Sequence, residues 1–179
     1  MRMKTNLNLR EELLREHSKE QCNKIVQWVG HSQERFDKLF ELFIQNEEII
    51  SQRAAWSLNY CVIAYPELLD KHWSAFLQNL QQTGRHNAIK RNSIRLLQEI
   101  EIPEEYQGIV MDTCFRLAST PGEAVAVKAF SLTVLGKLAK IYPDIIPELK
   151  LLIEDQLPNQ TAAFMVMARL IRKSFRINF

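Results

Sequence analysis

The fold of this chain is decided by the stretch Val127-Lys-Ala-Phe-Ser-Leu-Thr-Val-Leu-Gly-Lys-Leu138, because its pattern recurs along the sequence. Related twelve-residue segments run from Ile50 to Cys61, from Ile89 to Ile100 and, more loosely, from Ala163 to Ser174. In chain order the four segments start 39, 38 and 36 residues apart. A period of this length is typical of stacked helical hairpins.

Each copy has the apolar spacing of a helix, and another helical segment lies between consecutive copies. Pro66, Pro103 and Pro143 follow the three clear copies at nearly the same distance, eight, six and eight residues after a template leucine. Proline cannot continue a helix and disfavours helical geometry in the residue before it. We therefore predict an all-α fold of helical hairpins, with little or no strand.

Glycine and polar turn residues mark further helix ends. Gly30 and Gly84 are predicted helix stops, because glycine readily takes the backbone conformation that ends a helix. The segment from Ser119 to Gly122 is predicted to be a turn that caps the helix after it. The stretch Glu67 to Gln82 is predicted to form one continuous outer helix.

Composition favours one globular domain. The chain has 179 residues, 46% hydrophobic and 25% charged, which is ordinary for a globular protein and enough to bury a large core. We predict a single repeat domain over residues 9–179 after a disordered N-terminus at residues 1–8. The formal net charge of +2 gives no global indication of nucleic acid or membrane binding.

Three cysteines, Cys22, Cys61 and Cys114, each lie in an apolar helical stretch, and no CxxC pair occurs. We expect buried, reduced thiols in a reducing compartment. The start of the sequence lacks the apolar run of a signal peptide, and no segment approaches the roughly 20 apolar residues that cross a bilayer. The predicted location is the cytoplasm.

The repeated helix resembles the second helix of HEAT repeats, which carries the pattern v-R-x-x-A-a-x-a-L-g-x-L. The copy at Val127 to Leu138 matches it nearly throughout, with Lys128 in the basic column and Gly136 in the small one. The copy at Ile50 has Ser51 in the basic column, and the copy at Ala163 departs most. The resemblance covers roughly residues 18–175. It implies a right-handed α-α superhelix, a HEAT-like solenoid of four to five helical hairpins.

In such stacks the second helices line the concave side, so their variable columns indicate the groove. Template positions four, seven and eleven share one helical face by their spacing. Together with a neighbouring arginine, this face is basic and aromatic, which suits a protein partner and an acidic segment in particular. The predicted partner-binding residues are Arg53, Trp56, Tyr60, Arg91, Arg95, Lys137, Arg169 and Lys173.

This basic and aromatic face has alternative roles that the residues leave open. The cations could be solvated side chains whose stems cover apolar surface. Nucleic acid is a second candidate partner, with cations on phosphates and Trp56 stacked on a base. Bacterial DNA-alkylation-repair glycosylases resemble this architecture, but here Glu99 is the only acid on the predicted concave face, and no close match to their Trp-and-Asp segment is found.

No catalytic signature accompanies the repeats. The four histidines are scattered without metal-ligand spacing, and phosphate-loop, GxSxG and HExxH motifs are missing from the sequence. We therefore predict a non-enzymatic binding or scaffold protein with no cofactor and no metal. A protein partner is expected and a membrane is not.

Aromatic residues are frequent in the predicted outer helices. They leave two alternatives, a homodimer through an exposed aromatic face or deep packing between helices. The residues concerned are Phe36, Phe40, Phe43, Trp73 and Phe76.

Overall fold

The computed structural model describes residues 7–45, 47–156 and 162–175. These residues form ten α-helices and two 3-10 helices, and no strand occurs among them. The predicted all-α class is confirmed. The chain divides into two compact units, Met1–Leu96 and Leu97–Phe179. The single domain over residues 9–179 and the disordered N-terminus at residues 1–8 stay predictions, and residues 1–6 lie outside the described residues.

The first unit contains the helices up to the middle of the chain, and the last turn of its sixth α-helix belongs to the second unit. They are α1 (Leu9–Arg15), α2 (Lys19–Val29), α3 (Gln33–Ile44), α4 (Glu48–Ala64), a 3-10 helix (Pro66–His72), α5 (Trp73–Gln81) and α6 (Asn87–Glu99).

Local chemistry explains where these helices begin and end. The hydroxyl groups of Ser18 and Ser32 accept hydrogen bonds from the first turns of α2 and α3 at 3.1 and 3.4 Å, as N-cap residues do. Gly30 has a positive φ of 50° and donates its N–H to the Val26 carbonyl at 2.9 Å. The predicted stop at Gly30 is therefore confirmed.

The predicted helix from Glu67 to Gln82 is only partly correct. Its first part is a 3-10 helix that begins at Pro66, and regular α-helix starts at Trp73. Proline fixes φ and lacks an N–H, so it suits the first turn of the tighter helix. Gly84 has a φ of 77°, but it lies beyond the C-cap residue Gln82.

The core of the first unit is built around α4. Helices α1, α2 and α3 all pack against α4, and α3 also contacts α5. The outer-helix aromatics lie in this core rather than on the surface. Phe36, Phe43 and Phe76 are fully buried, and Phe40 and Trp73 are 2% and 4% exposed. Of the two alternatives for these residues, deep packing is the correct one.

In the second unit, helices pack against each other both within a hairpin and between successive hairpins. Its remaining elements are α7 (Glu104–Ser119), α8 (Val125–Leu138), a 3-10 helix (Pro143–Ile145), α9 (Ile146–Gln156) and α10 (Ala162–Phe175). Helix α7 pairs with α8, α7 contacts α9, and α8 contacts α10. Like helices of successive hairpins are therefore neighbours, as in a stack.

The turn between α7 and α8 caps the end of α7 and not the start of α8. The N-cap of α8 is Ala124, which makes no side-chain cap bond. Instead, the hydroxyl groups of Ser119 and Thr120 donate to the Arg116 carbonyl at 3.2 and 2.6 Å. The Arg116 carbonyl also accepts the N–H of the C-cap residue Thr120 at 3.0 Å, so the two hydroxyl groups add to the last backbone hydrogen bond of α7. The prediction that this turn caps the following helix is wrong.

The template positions occupy the interior. Leu58, Leu97 and Leu135 are all 0% exposed, which agrees with the predicted repeat register. Small residues allow helices to approach closely, since a Cβ placed on Gly136 of α8 would lie 3.3 Å from Cγ1 of Ile171 on α10.

Candidate functional site

Arg53 of α4 is committed to the fold. Its guanidinium Nη1 donates to the Leu13 carbonyl at 2.8 Å, near the end of α1. The last carbonyls of a helix have no partner within the helix, and a basic side chain satisfies them well. Arg53 thus fastens α1 to α4, and it is only partly exposed.

Trp56 and Tyr60 follow Arg53 on the same face of α4, and both are partly exposed. The ring of Trp56 lies against His17, with 5.0 Å between the ring centroids and 46° between the planes. The hollow beside Trp56 measures only about 10 Å³. It could hold at most a single water molecule, so these aromatics form a surface and not a ligand cavity.

Arg91 and Arg95 of α6 are exposed. No hydrogen bond or ion pair joins either guanidinium to another residue in the described ranges. Helix α6 adjoins α4, because the buried Asn59 side chain donates to the Asn92 carbonyl at 2.8 Å. This bond lies one position from Tyr60 on α4 and one position from Arg91 on α6.

The side chain of Lys137 on α8 binds the backbone of another segment. Its Nζ donates to the Ile100 carbonyl. Burial lowers the pKa of Lys137, and the nearby carboxylates of Glu101 and Glu99 oppose that shift. Like Arg53, Lys137 donates a hydrogen bond to a backbone carbonyl at the end of another element.

Arg169 and Lys173 are exposed on α10, and no bond joins them to another described residue. Beside them, a groove of about 220 Å³ runs between α8 and α10. Met167, Leu170 and Ile171 supply apolar lining to this groove, and Lys140 adds a charge.

The predicted site is therefore divided by role. In the first unit, α4 and α6 present a surface that we call the α4–α6 surface. In the second unit, the exposed cations of the predicted site are Arg169 and Lys173 of α10. Arg53 and Lys137 come from template positions four and eleven of the same predicted face, but they satisfy carbonyl groups. The members of the α4–α6 surface are Trp56, Tyr60, Arg91 and Arg95.

Reasoning from the sequence missed a polar cluster beside α3. Gln33 Nε2 and Lys71 Nζ donate to the Asp37 carboxylate at 2.9 and 2.7 Å, and His72 Nε2 lies 2.7 Å from it. Partial burial would raise the pKa of Asp37, but these three contacts outweigh it and lower the pKa to about 2. Asp37 lies among polar residues of an amphipathic helix, so its spacing carries no signal of this role.

A cavity of about 460 Å³ between α1 and α3 was also missed. Trp28 lines it, and the Arg35 guanidinium lies 5.2 Å from the centre of the indole ring and donates to the Trp28 carbonyl at 2.7 Å. Arg10 pairs with Glu47 and Lys38 pairs with Glu34 at this cavity. Its cations are thus already engaged, and no ligand chemistry is indicated.

The thiols are free and buried, as predicted. Burial raises the pKa of both Cys61 and Cys114 to about 12. Such thiols stay protonated near neutral pH and are poor nucleophiles. Among residues 7–45, 47–156 and 162–175, no group of three or more His, Cys, Asp or Glu side chains could hold a metal ion. Within the same ranges, no helix has the length and hydropathy of a membrane span.

Comparison with known proteins identifies a family. A family model described as a HEAT repeat domain matches residues 9–174. No curated protein and no solved structure matches the chain.

Proposed function

This chain belongs to the HEAT repeat domain family, and from that membership together with the surface of its first unit we propose that it is a non-enzymatic binding protein that holds an acidic segment of a protein partner. HEAT repeats generally mediate protein interactions or scaffolding. The family therefore supports binding as the kind of activity, and the α4–α6 surface supports the chemistry of the partner.

The observation that carries this proposal is the state of Arg91 and Arg95. Both guanidinium groups are exposed and without a described partner, whereas Arg53 and Lys137 are used within the fold. A guanidinium presents a planar fork of donors that matches a carboxylate with two hydrogen bonds. Two such groups one helical turn apart suit a segment that carries two or more acids.

Trp56 and Tyr60 supply the apolar part of the surface. Partly exposed aromatic rings can still lose accessible area when a partner covers them, and their limited rotamer freedom makes ordering them inexpensive. Tryptophan, tyrosine and arginine are also the residue types enriched among the energetically dominant residues of protein interfaces. The proposed segment therefore combines acids with at least one apolar side chain.

The test uses a fluorescein-labelled peptide with alternating Glu and Leu residues and a matched peptide with Lys in place of Glu. Fluorescence anisotropy measures binding of each to the full chain. We expect the acidic peptide to bind and Arg91→Glu/Arg95→Glu to weaken it about tenfold or more, since each charge reversal replaces attraction with repulsion. Trp56→Ala alone, with both arginines kept, should also weaken binding of the acidic peptide.

Lys19→Glu/Lys38→Glu is the matched control, because it makes the same change in net charge at two exposed lysines on α2 and α3. Measured at the same ionic strength, the affinity of this control variant for the acidic peptide should equal that of the unmodified chain. Equal loss in both double variants would mean that net charge alone attracts the peptide, and the α4–α6 surface would then be rejected.

Nucleic acid is tested with the same variants. Short single-stranded and duplex DNA are titrated at low salt, where phosphate contacts are strongest. Affinity for DNA that depends on Arg91 and Arg95, together with no affinity for the acidic peptide, would replace a protein partner by nucleic acid. Release of alkylated bases from treated DNA is the direct assay for the glycosylase alternative.

A further inference from the structure

Helix α10 has an exposed face that no described element covers. Its buried residues Phe164, Ala168 and Ile171 lie on one side. The opposite side carries Val166 and Leu170, which are 46% and 53% exposed. Each helix in a stack of hairpins packs against neighbours, but α10 is the last described helix. Its exposed apolar side chains are therefore available for a further packing contact.

The same face is basic. Arg169 and Lys173 are exposed between and beside the apolar residues, and Arg172 is exposed at its edge. No acid occurs from Ala162 to Phe175. We call this face, made of Val166, Arg169, Leu170 and Lys173, the α10 face. The groove of about 220 Å³ between α8 and α10 adjoins it at Leu170.

Helix α9 has the complementary character. Leu151 is 66% exposed, the highest value among the large apolar side chains of the described residues. Glu148 and Glu154 lie three positions before and after it, so all three share one side of the helix, and both acids are exposed. We call Glu148, Leu151 and Glu154 the α9 strip. Its opposite side is buried through Leu149 and Ile153.

We propose that two copies of this chain associate, with the α9 strip of one copy docked on the α10 face of the other. Leu151 packs against Leu170 and the adjoining groove, and the two glutamates meet Arg169 and Lys173. This inference does not rest on the proposed function, because it uses none of the residues of the α4–α6 surface.

Spacing along the helices supports the pairing. With a rise of 1.5 Å per residue, Glu148 and Glu154 are about 9 Å apart along α9, and Arg169 and Lys173 are about 6 Å apart along α10. Long arginine and lysine side chains can span such a difference. Within one copy, no ion pair joins the α9 strip to α10 in the described part of the chain, since the pair found on α9 is Lys150 with Glu154 at 3.7 Å.

Charge complementarity identifies the partner as a second copy. Each copy carries an acidic strip and a basic face, each around an exposed leucine, so every encounter between copies offers both halves of the contact. Opposite surface potentials steer association and set the register, while the leucines contribute apolar area. Exposed ion pairs alone contribute little, so the apolar contact is necessary.

The experiment is a charge-reversal exchange. Sedimentation equilibrium of the full chain, from low micromolar to submillimolar protein, measures the dissociation constant for self-association. We expect Arg169→Glu/Lys173→Glu, which makes both surfaces acidic, to raise that constant about tenfold or more. Glu148→Lys/Glu154→Lys, which makes both surfaces basic, should raise it to a similar extent. An equimolar mixture of the two variants should associate again, because each acidic surface then meets a basic one.

Lys19→Glu/Lys38→Glu serves as the control and should associate like the unmodified chain. A circular dichroism spectrum of each variant establishes that it is folded before the measurement. A chain that stays monomeric over the whole range, or two variants that fail to associate when mixed, would overturn the proposal. Peptide binding to the α4–α6 surface should be unaffected by either α9 or α10 variant, so the two proposals fail separately.

Discussion

Long cationic side chains have two different fates in this protein. Arg53 and Lys137 reach backbone carbonyls of other elements, whereas Arg95 stays exposed. The difference lies in how close each side chain is to the end of a neighbouring helix, because carbonyl groups there lack partners within the helix. At the scale of single residues, charge type therefore says little about role until the neighbouring backbone is known.

Asp37 shows the same point for an acid, and it makes a pH-dependent prediction. Its pKa is about 2 in the folded chain and 3.8 as the ordinary value. Because the folded pKa is the lower one, the carboxylate stabilises the fold fully above about pH 4, and this contribution is lost as the pH falls toward 2.

Asp37→Asn should therefore lower the free energy of unfolding at neutral pH by about 1–3 kcal/mol, since the ionised acceptor of three polar groups is lost. Urea unfolding at several pH values measures the effect. Between pH 4 and 2 the difference from the unmodified chain should shrink. Asp112→Asn, at an exposed position of α7, is the control. A constant difference across that pH range would contradict the assignment.

At the scale of elements, the contact between α8 and α10 depends on a missing side chain. Gly136 brings the two helices close enough that a Cβ would meet Ile171 at 3.3 Å. Glycine inside a helix costs stability relative to alanine, so its presence here is explained by this approach.

Gly136→Leu should destabilise the second unit by about 1–3 kcal/mol, because its Cβ would be crowded against Ile171 at 3.3 Å and would force α10 to shift. Gly136→Ala should stay within about 1 kcal/mol of the unmodified chain, since its gain in helix propensity offsets the tight contact. Thermal unfolding measures both.

Gly108 offers a matched control for this prediction. It lies inside α7, and a Cβ placed there would meet nothing within 4 Å. Gly108→Leu should therefore be neutral or stabilising. Equal destabilisation by leucine at positions 108 and 136 would show that the contact with α10 is not the cause.

At the scale of the whole molecule, stability is expected to be shared between neighbouring hairpins. In a repeat protein no hairpin can bury its apolar face alone, so each repeat contributes an interface to the next. Leu135 is fully buried on α8, and α8 contacts both α7 and α10. A cavity at this position should be felt first by those neighbours.

Leu135→Ala should cost about 2–5 kcal/mol of unfolding free energy through the lost burial and the cavity left behind. Hydrogen exchange resolved by segment should accelerate most in α7, α8 and α10 and least in α1 to α4. Uniform acceleration along the chain would indicate a single cooperative unit and would contradict nearest-neighbour coupling.

The sequence by itself determined the helical class, the period and the buried leucine columns. Helical spacing and proline punctuation are local properties, and Leu58, Leu97 and Leu135 recur at one phase. Only the tertiary structure decided which columns of the predicted site face a neighbour. Arg53 and Arg95 occupy variable columns of like helices, yet one meets a carbonyl and the other meets solvent. The physical reason is that periodicity fixes the direction of a side chain around its own helix, whereas its partner depends on how closely the next helix end approaches.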